Sequence, residues 1–426
     1  MRSMRLLRPA CLFVILIGAI WASNPHQLNI DSFEFIWTTI RDQYWDPAFG
    51  GLNWQAVHDE LRPRIEHAST TQEARRVMSD MIGRLGKSHF GIIAADVYGD
   101  LDEREAAVGP ATTGIDVRVL DGKAIVTSVE DGSSAAQQGV RAGWEVVSVD
   151  GTPVAPALRR IAESDEHSTM RELHLARSLE SKLTGTDRSH VRVEFMDAAG
   201  RHVRKQLERA EPAGPLSRFG YLPPTHVWFR SRRVAPDVGY LTFNLFLDPA
   251  NLMPQFGEAL KGCAECAGVI VDLRGNPGGL GILATGMAGW FIDKPDLRLG
   301  VMHMRNATIR FTVNPRLPQF RGLLAVLVDG CSASTSEIFA EGMKDLGRAR
   351  VFGTRTAGAA LPSAIDKLPN GDGFQHAVAD YISEGGKALE GVGVTPDVEV
   401  KLTREALLAG HDTVLDAAIE WIHQRK

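Results

Sequence analysis

Apolar residues recur at helical spacing through the first part of the chain. Phe33, Ile36, Trp37, Ile40 and Tyr44 form one stripe, and Ala74, Val77, Met78, Met81, Ile82 and Leu85 form another. Spacing of three and four places such side chains on one helix face, so both stripes predict core-facing helices. Gly86 ends the second helix, and Phe90 to Ile93 begins an extended run. From about Gly109 to Arg209 the chain reads as short strands and turns: TTGIDVRVL, DGKAIVTSV, RAGWEVVSVDG and HVRVEFMDAAGRHVRKQL, with a short helix at Ser133 to Gln138. An insert from Ala155 to Lys182 reads as helix, and RAEPAGP at 209–215 reads as a linker. From Val238 onward, the apolar runs GYLTFNLF, GVIVDLRG, LLAVLVDG and RARVFG alternate with helical segments, which predicts an α/β sheet.

These patterns predict an α+β and α/β multidomain chain. Its parts are an N-terminal helical lobe (25–107), a β-rich middle domain (108–211) and a C-terminal α/β domain (212–426). A length of 426 residues fits two or three domains. Hydrophobic content of 44% with 23% charged residues is that of a globular protein with a real core. A net charge of -5 without a long basic run argues against nucleic acid or an anionic membrane surface as main partner. Arg2, Arg5 and Arg8 precede an apolar run from Cys11 to Trp21, and Ala22, Ser23 and Asn24 follow. That order predicts a secretory signal over 1–24, with an uncleaved membrane anchor as the alternative. The chain is therefore expected outside the cytoplasm, in a bacterial periplasm. Cys263, Cys266 and Cys331 are too few for a disulfide scaffold. Cys263 and Cys266 lack further metal ligands and predict a surface disulfide, while Cys331 reads as a small packing residue.

The segment from Leu323 to Leu346 concentrates candidate chemistry. It reads as a buried strand (LLAVLVDG), a turn of small hydroxyl residues (CSASTSE) and an amphipathic helix (IFAEGMKDL). A serine at a helix N-terminus lies beside backbone N–H groups that can face a developing oxyanion, and Ser334 is the candidate nucleophile. Ser334 followed by Glu337 also fits a capping box, in which the serine would only satisfy backbone donors. GVIVDLRGNPGG at 268–279 runs from a strand into a loop with Gly275, Pro277, Gly278 and Gly279, where backbone can approach a ligand closely. A serine nucleophile needs a base. Lys344 reads as a solvated surface lysine. His89 sits in a loop at a helix end between Ser88 and Phe90, and Glu390 lies in a glycine-rich loop ahead of a strand.

In order, LGKSHFGI, a segment resembling a PDZ domain of the protease-associated kind, DLRGNPGG, the SASTSE turn and EGVGVTPDVEV resemble the tail-specific (C-terminal-processing) serine peptidases. The resemblance runs from about Phe33 to Val400. It implies a helical lobe, a PDZ-like β domain and an α/β domain of ClpP/crotonase-like type, acting on proteins or peptides without metal or organic cofactor. Members with a Ser–Lys dyad carry the lysine in a G-K-G segment. This chain reads TRTAGAALPS there, with Ala359 at the matching position. The resemblance is thus to the tricorn-core-like branch, which implies Ser334 as nucleophile, His89 as base, and Ser88 and Glu390 as its partners. It further implies Gly278 and Thr335 as oxyanion donors, and Thr113, Gly114 and Ile115 as a loop that takes a substrate's terminal carboxylate. The PDZ-like domain would recruit peptide or gate the site, and the N-terminal segment would supply any membrane association. An alternative on the same fold is a non-catalytic binding protein for an apolar ligand or a peptide, similar to the retinoid-binding modules of the eye.

Overall fold

The computed structural model describes residues 24–98 and 111–425. All but the last residue of the expected signal or anchor segment, and the stretch in which the lobe and middle domain were expected to meet, lie outside the described residues. Among those described, no helix is long and apolar enough to cross a membrane.

The lobe consists of α1 (Pro25–Gln43), α2 (Trp54–Glu66) and α3 (Thr71–Gly83). Asn24, Asn53 and Thr70 cap them, each side chain accepting a backbone N–H of the first turn. Phe33, Ile36, Ile40, Met78 and Met81 are buried, so the two apolar stripes face one shared core. The chain leaves the lobe through β1 (Gly91–Ile93).

The middle domain contains β2 (Ile115–Leu120), β3 (Lys123–Val129), α4 (Ser134–Gln137), β4 (Glu145–Val149), β5 (Thr152–Pro153), α5 (Ala155–Ser164), α6 (Arg171–Leu183), β6 (His190–Met196) and β7 (His202–Glu208). Its antiparallel sheet has the order β2-β3-β4-β6-β7, with β5 beside β4 and β2 at the edge. The insert expected as one helix is two, α5 and α6. Between them Asp165 accepts from His174 Nδ1 (2.5 Å) and Ser168 Oγ accepts from Met170 N (3.2 Å). Such local side-chain bonds compete with the helical ladder and break it. A small hairpin, β8 (Leu216–Ser217) and β9 (Thr225–His226), follows.

The C-terminal domain comprises β10 (Phe229–Ala235), β11 (Val238–Phe243), α7 (Pro249–Lys261), β12 (Gly268–Asp272), α8 (Gly281–Ala288), β13 (Arg298–Met304), β14 (Thr308–Thr312), β15 (Leu323–Val328), α9 (Thr335–Asp345), β16 (Arg350–Gly353), β17 (Ser363–Lys367), β18 (Gly373–Ala377), β19 (Ala379–Ser383), β20 (Val398–Glu399), α10 (Arg404–Leu408) and α11 (Thr413–Gln424). Its main sheet runs β10-β11-β12-β15-β16-β20, parallel from β11 onward. Val269, Val271, Leu324 and Val326 face one core, while Ile270, Ala325 and Leu327 face another closed by Val414, Ala418 and Ile422 of α11. Burial on both faces is why these strands read as continuous apolar runs.

The lobe docks on this domain by backbone and by charge. β1 pairs antiparallel with β18, and Arg75 of α3 donates twice to the fully buried Asp372 (2.7 and 2.9 Å). Phe374 and Leu368 complete the lobe's apolar core. Two side-chain expectations are corrected. Cys263 and Cys266 form a disulfide, but they are buried beneath Gly239 rather than on the surface. Lys344 is a half-buried, partnered lysine rather than a freely solvated one, because its ammonium donates to Thr395 O (2.5 Å) and lies 3.5 Å from Asp397.

Candidate active site

β15 ends at Val328, and the turn that follows lifts the chain into α9 with Ser334 at its cap. Ser334 has φ 55° and ψ -117°, a strained conformation for a residue with a Cβ. Dense bonding holds it there. Ser334 N donates to Ala359 O (2.8 Å) and to Glu337 Oε2 (2.9 Å). Asp329 Oδ1 accepts Gly275 N (2.9 Å) and Cys331 N (3.0 Å), tying the turn to the glycine loop. The hydroxyls of Ser332, Thr335 and Ser336 donate to Leu273 O (2.7 Å), Gly279 O (2.7 Å) and Asn276 O (2.9 Å). The Ser334 hydroxyl, by contrast, makes no side-chain cap hydrogen bond. Glu337 N donates to the Ser334 carbonyl instead (2.8 Å).

Glu337 therefore organises the loop around the serine. It is fully buried and accepts from Thr356 Oγ1 (2.5 Å), Gly358 N (2.8 Å) and Ala359 N (3.0 Å) besides Ser334 N. Burial pushes its carboxyl up to about 7, against the downward pull of these donors. The S-x-x-E spacing was visible in the sequence, but its reach to residues 356–359 was not.

The glycine loop lies against the serine. A Cβ on Gly278 would stand 2.7 Å from Ser334 Cβ and 2.8 Å from Thr335 N, so only glycine fits. The expectation for the Gly278 amide is corrected, because that N–H donates to Asn276 Oδ1 (2.9 Å). The amides of Gly279 and Thr335 make no hydrogen bond among the described residues. Asn276, buried and holding the loop through Phe243 O (2.9 Å), was not singled out from sequence.

The lobe delivers the imidazole. His89 has φ 59° at the end of the loop after α3, and Ser88 beside it is buried. Ser88 N donates to Glu390 Oε1 (2.8 Å) and Ser88 Oγ donates to Glu390 Oε2 (2.7 Å). With its proton given to the carboxylate, Ser88 Oγ accepts from His89 Nδ1 (2.8 Å). This fixes the tautomer: Nδ1 carries the proton and the Nε2 lone pair is left to accept another. Burial, and secondarily the charge of Arg177 on α6, pushes the imidazole down to about 4.

Glu390 Oε2 also accepts Ala360 N (3.2 Å), next to the Ala359 carbonyl that holds Ser334 N. Ser334, Ala359–Ala360, Glu390, Ser88 and His89 thus form one contiguous chain of contacts. The Ala359 side chain packs in an apolar cluster with Leu173, Cys331, Ala333 and Ala357. The middle domain faces the same region. A cavity of about 330 Å³ is lined by Thr113, Ile115 and Val117, by Leu173 and Arg177 of α6, and by Pro277 of the glycine loop. Thr113 is buried and its Oγ1 has no partner, while Gly114 (φ +79°) turns the chain against Ser133. No group of acidic, His or Cys side chains suited to a metal occurs among the described residues.

A strained serine at a helix N-terminus, two open amides and an imidazole of fixed tautomer are the groups acyl transfer uses, and no hydrogen bond joins Ser334 Oγ directly to His89 among the described residues. Residues 237–400 match peptidase family S41, and residues 26–83 match the tricorn protease C1 domain. A tricorn protease homolog of Streptomyces coelicolor is 27% identical over 410 residues, 89% of this chain and 31% of that protein, so the chain spans about a third of its length. The carboxyl-terminal-processing protease of Synechocystis sp. is 23% identical, over 92% of this chain and 87% of that one. A solved photosystem II D1 C-terminal processing protease shares the fold, with a TM-score of 0.59 at 23% identity, over 92% of this chain and 96% of that one. The chain thus carries a segment that matches peptidase family S41, preceded by one that matches the tricorn protease C1 domain. These relatives are named as proteases, which does not favour the apolar-ligand alternative.

Proposed function

We propose that the chain is a serine peptidase hydrolysing peptide bonds of exported proteins or peptides, with Ser334 as nucleophile and His89 as base. The observation that carries this reading is the bond series from Glu390 through Ser88 to His89 Nδ1, which leaves Nε2 as the acceptor.

Ser334 Oγ attacks the scissile carbonyl carbon while His89 Nε2 takes the hydroxyl proton. The carbonyl π electrons move onto oxygen, and the amides of Thr335 and Gly279 stabilise that oxyanion, each worth about 3 kcal/mol. Collapse breaks the C–N bond, and the imidazolium returns its proton to the leaving amine. Water then repeats the sequence on the acyl-enzyme with His89 again as base. The Ser88–Glu390 pair holds the ring in place and balances its transient positive charge. The reading needs no metal or organic cofactor.

Under this proposal the middle domain is PDZ-like. An extended peptide would add to the free edge of β2 along α6, with its terminal carboxylate at Thr113, Gly114 and Ile115. Packing of Leu173 on Cys331 and Ala333 sets that groove against the nucleophile turn and supports recruitment or gating there. The basic, apolar and small-residue order at the N-terminus, together with the Cys263–Cys266 disulfide, supports an exported protein.

Digestion of an unfolded reporter protein, read by mass spectrometry, tests the reading. Cleavage is expected with the wild-type protein and lost in Ser334→Ala and in His89→Ala, both at unchanged Tm. Cleavage persisting in purified Ser334→Ala removes the assignment.

A further inference from the structure

Three acidic residues on α9 have no part in the proposed chemistry. Glu337, Glu341 and Asp345 stand four residues apart on one helix face, the first two fully buried. Each reaches a different point of the loops around Glu390. Glu337 holds Gly358 N (2.8 Å), and Gly358 O in turn accepts Gly391 N (2.8 Å). Glu341 pairs with Lys387 through Oε1, while its Oε2 is buried without any hydrogen-bond partner. Asp345 Oδ2 accepts Ser383 Oγ (2.6 Å) and Gly385 N (2.8 Å), and a Cβ on Gly385 would collide with that carboxylate. Ser383 N and Lys387 O close the loop between these two anchors (2.9 Å). Glu390 is therefore bracketed, three residues before it by Glu341 and one residue after it by Glu337.

A buried carboxylate with one orphaned oxygen is costly, and apolar packing would stabilise the helix more cheaply. What it supplies here is position. We propose that the Glu341–Lys387 ion pair, with Asp345 and Ser383, sets the place of Glu390 and hence the orientation of His89. In this scheme α9 carries the nucleophile at its N-terminus and also measures out the position of the group that orients the base. Lys387, Glu341 and Ser383 are positioning residues, since none touches substrate. The inference rests on the proposed roles of Ser334, His89 and Glu390.

The test compares wild-type protein with Lys387→Arg, Ser383→Ala and the neutral pair Glu341→Gln with Lys387→Gln, on one peptide substrate below every Tm. The neutral pair is expected to lower kcat by about 10- to 100-fold with KM nearly unchanged, and Lys387→Arg, which keeps the ion pair, to retain most of it. The rate at which a fluorophosphonate labels Ser334 should fall by the same factor, because that reaction needs the activated serine and no substrate binding. If the neutral pair fails to fold, Ser383→Ala, which removes a single hydroxyl, should still lower kcat about 3- to 10-fold. Folded variants with wild-type kcat and labelling rate overturn the proposal while leaving the peptidase reading intact. If the wild-type protein itself cleaves nothing, the peptidase reading fails instead. The positional claim is then decided by hydrogen exchange at the Ser88 amide, which donates to Glu390. It should exchange about tenfold faster in the neutral pair, and unchanged exchange contradicts the claim.

Discussion

Glu390 grips Ser88 twice, accepting its amide at 2.8 Å and its hydroxyl at 2.7 Å across 302 positions of sequence. That double contact joins the helical lobe to the C-terminal domain at the point where the imidazole is held. Glu390→Gln replaces one acceptor by a donor facing Ser88, and Ser88→Ala removes the bridge. Each should lower kcat about 10²- to 10³-fold with KM changed only a few-fold, because orientation of the base is lost and substrate contacts are not. Steady-state kinetics on a peptide checks this, and wild-type kcat in both variants would contradict the assigned roles.

Under the proposed mechanism the depressed imidazole sets the acid limit of activity. His89 accepts a proton only when neutral, and burial with Arg177 nearby holds it at about 4 instead of the ordinary 6.5. A profile of kcat/KM against pH should therefore rise through about 4 and be level by pH 6. Arg177→Gln should move that limb upward. A wild-type limb at 6.5 would show that the imidazole is not desolvated as described.

Glu337 predicts an opposite trend in stability. Its folded-state carboxyl lies at about 7, above the ordinary 4.5, so the folded protein holds this proton more tightly than the unfolded chain. Its contribution favours folding below 4.5 and is lost as pH rises through 7, about 3 kcal/mol in all. His89, with its lowered value, loses stability as pH falls from 6.5 through 4, so the two trends oppose each other. The difference between wild type and Glu337→Gln isolates the first. Denaturant unfolding at pH 5 and pH 8 should show a smaller drop in the variant, and identical drops would contradict this account.

Arg75 and the buried Asp372 clamp the lobe from outside the site. Arg75→Met leaves that carboxylate unpaired, which should cost about 3–5 kcal/mol and reduce activity as β1 loosens from β18. Adding Asp372→Asn should recover much of the loss, because the buried charge is gone. Thermal unfolding and activity of the single and double variants check both parts.

The parts of the fold governed by periodicity were legible in the sequence. The stripes at Phe33–Tyr44 and Ala74–Leu85 became α1 and α3, and the continuous apolar runs became β11, β12, β15 and β16. The break between α5 and α6 was hidden because it rests on Asp165 and Ser168 bonding locally, which apolar spacing does not register. Candidate site residues could be named because a hydroxyl-rich turn and a glycine loop each carry a strong local signal. Which amide stays open could not, since Gly278 and Gly279 read alike until the side chain of Asn276 is placed. The linkage of Glu337 to residues 356–359, and of Glu341 to Lys387, depends on tertiary neighbours without any motif. Lys344 looked like a surface charge for the same reason, its acceptor at Thr395 being remote in sequence.

The account depends on activation of Ser334 by an imidazole that the lobe delivers. Its most direct test is the rate of fluorophosphonate labelling, mapped by peptide mass spectrometry, in wild-type protein and in His89→Ala. The expected result is a single adduct on Ser334 in the wild type, formed at least about 10³-fold more slowly without the imidazole. Equal rates in the two proteins, or an adduct on another residue, would contradict it.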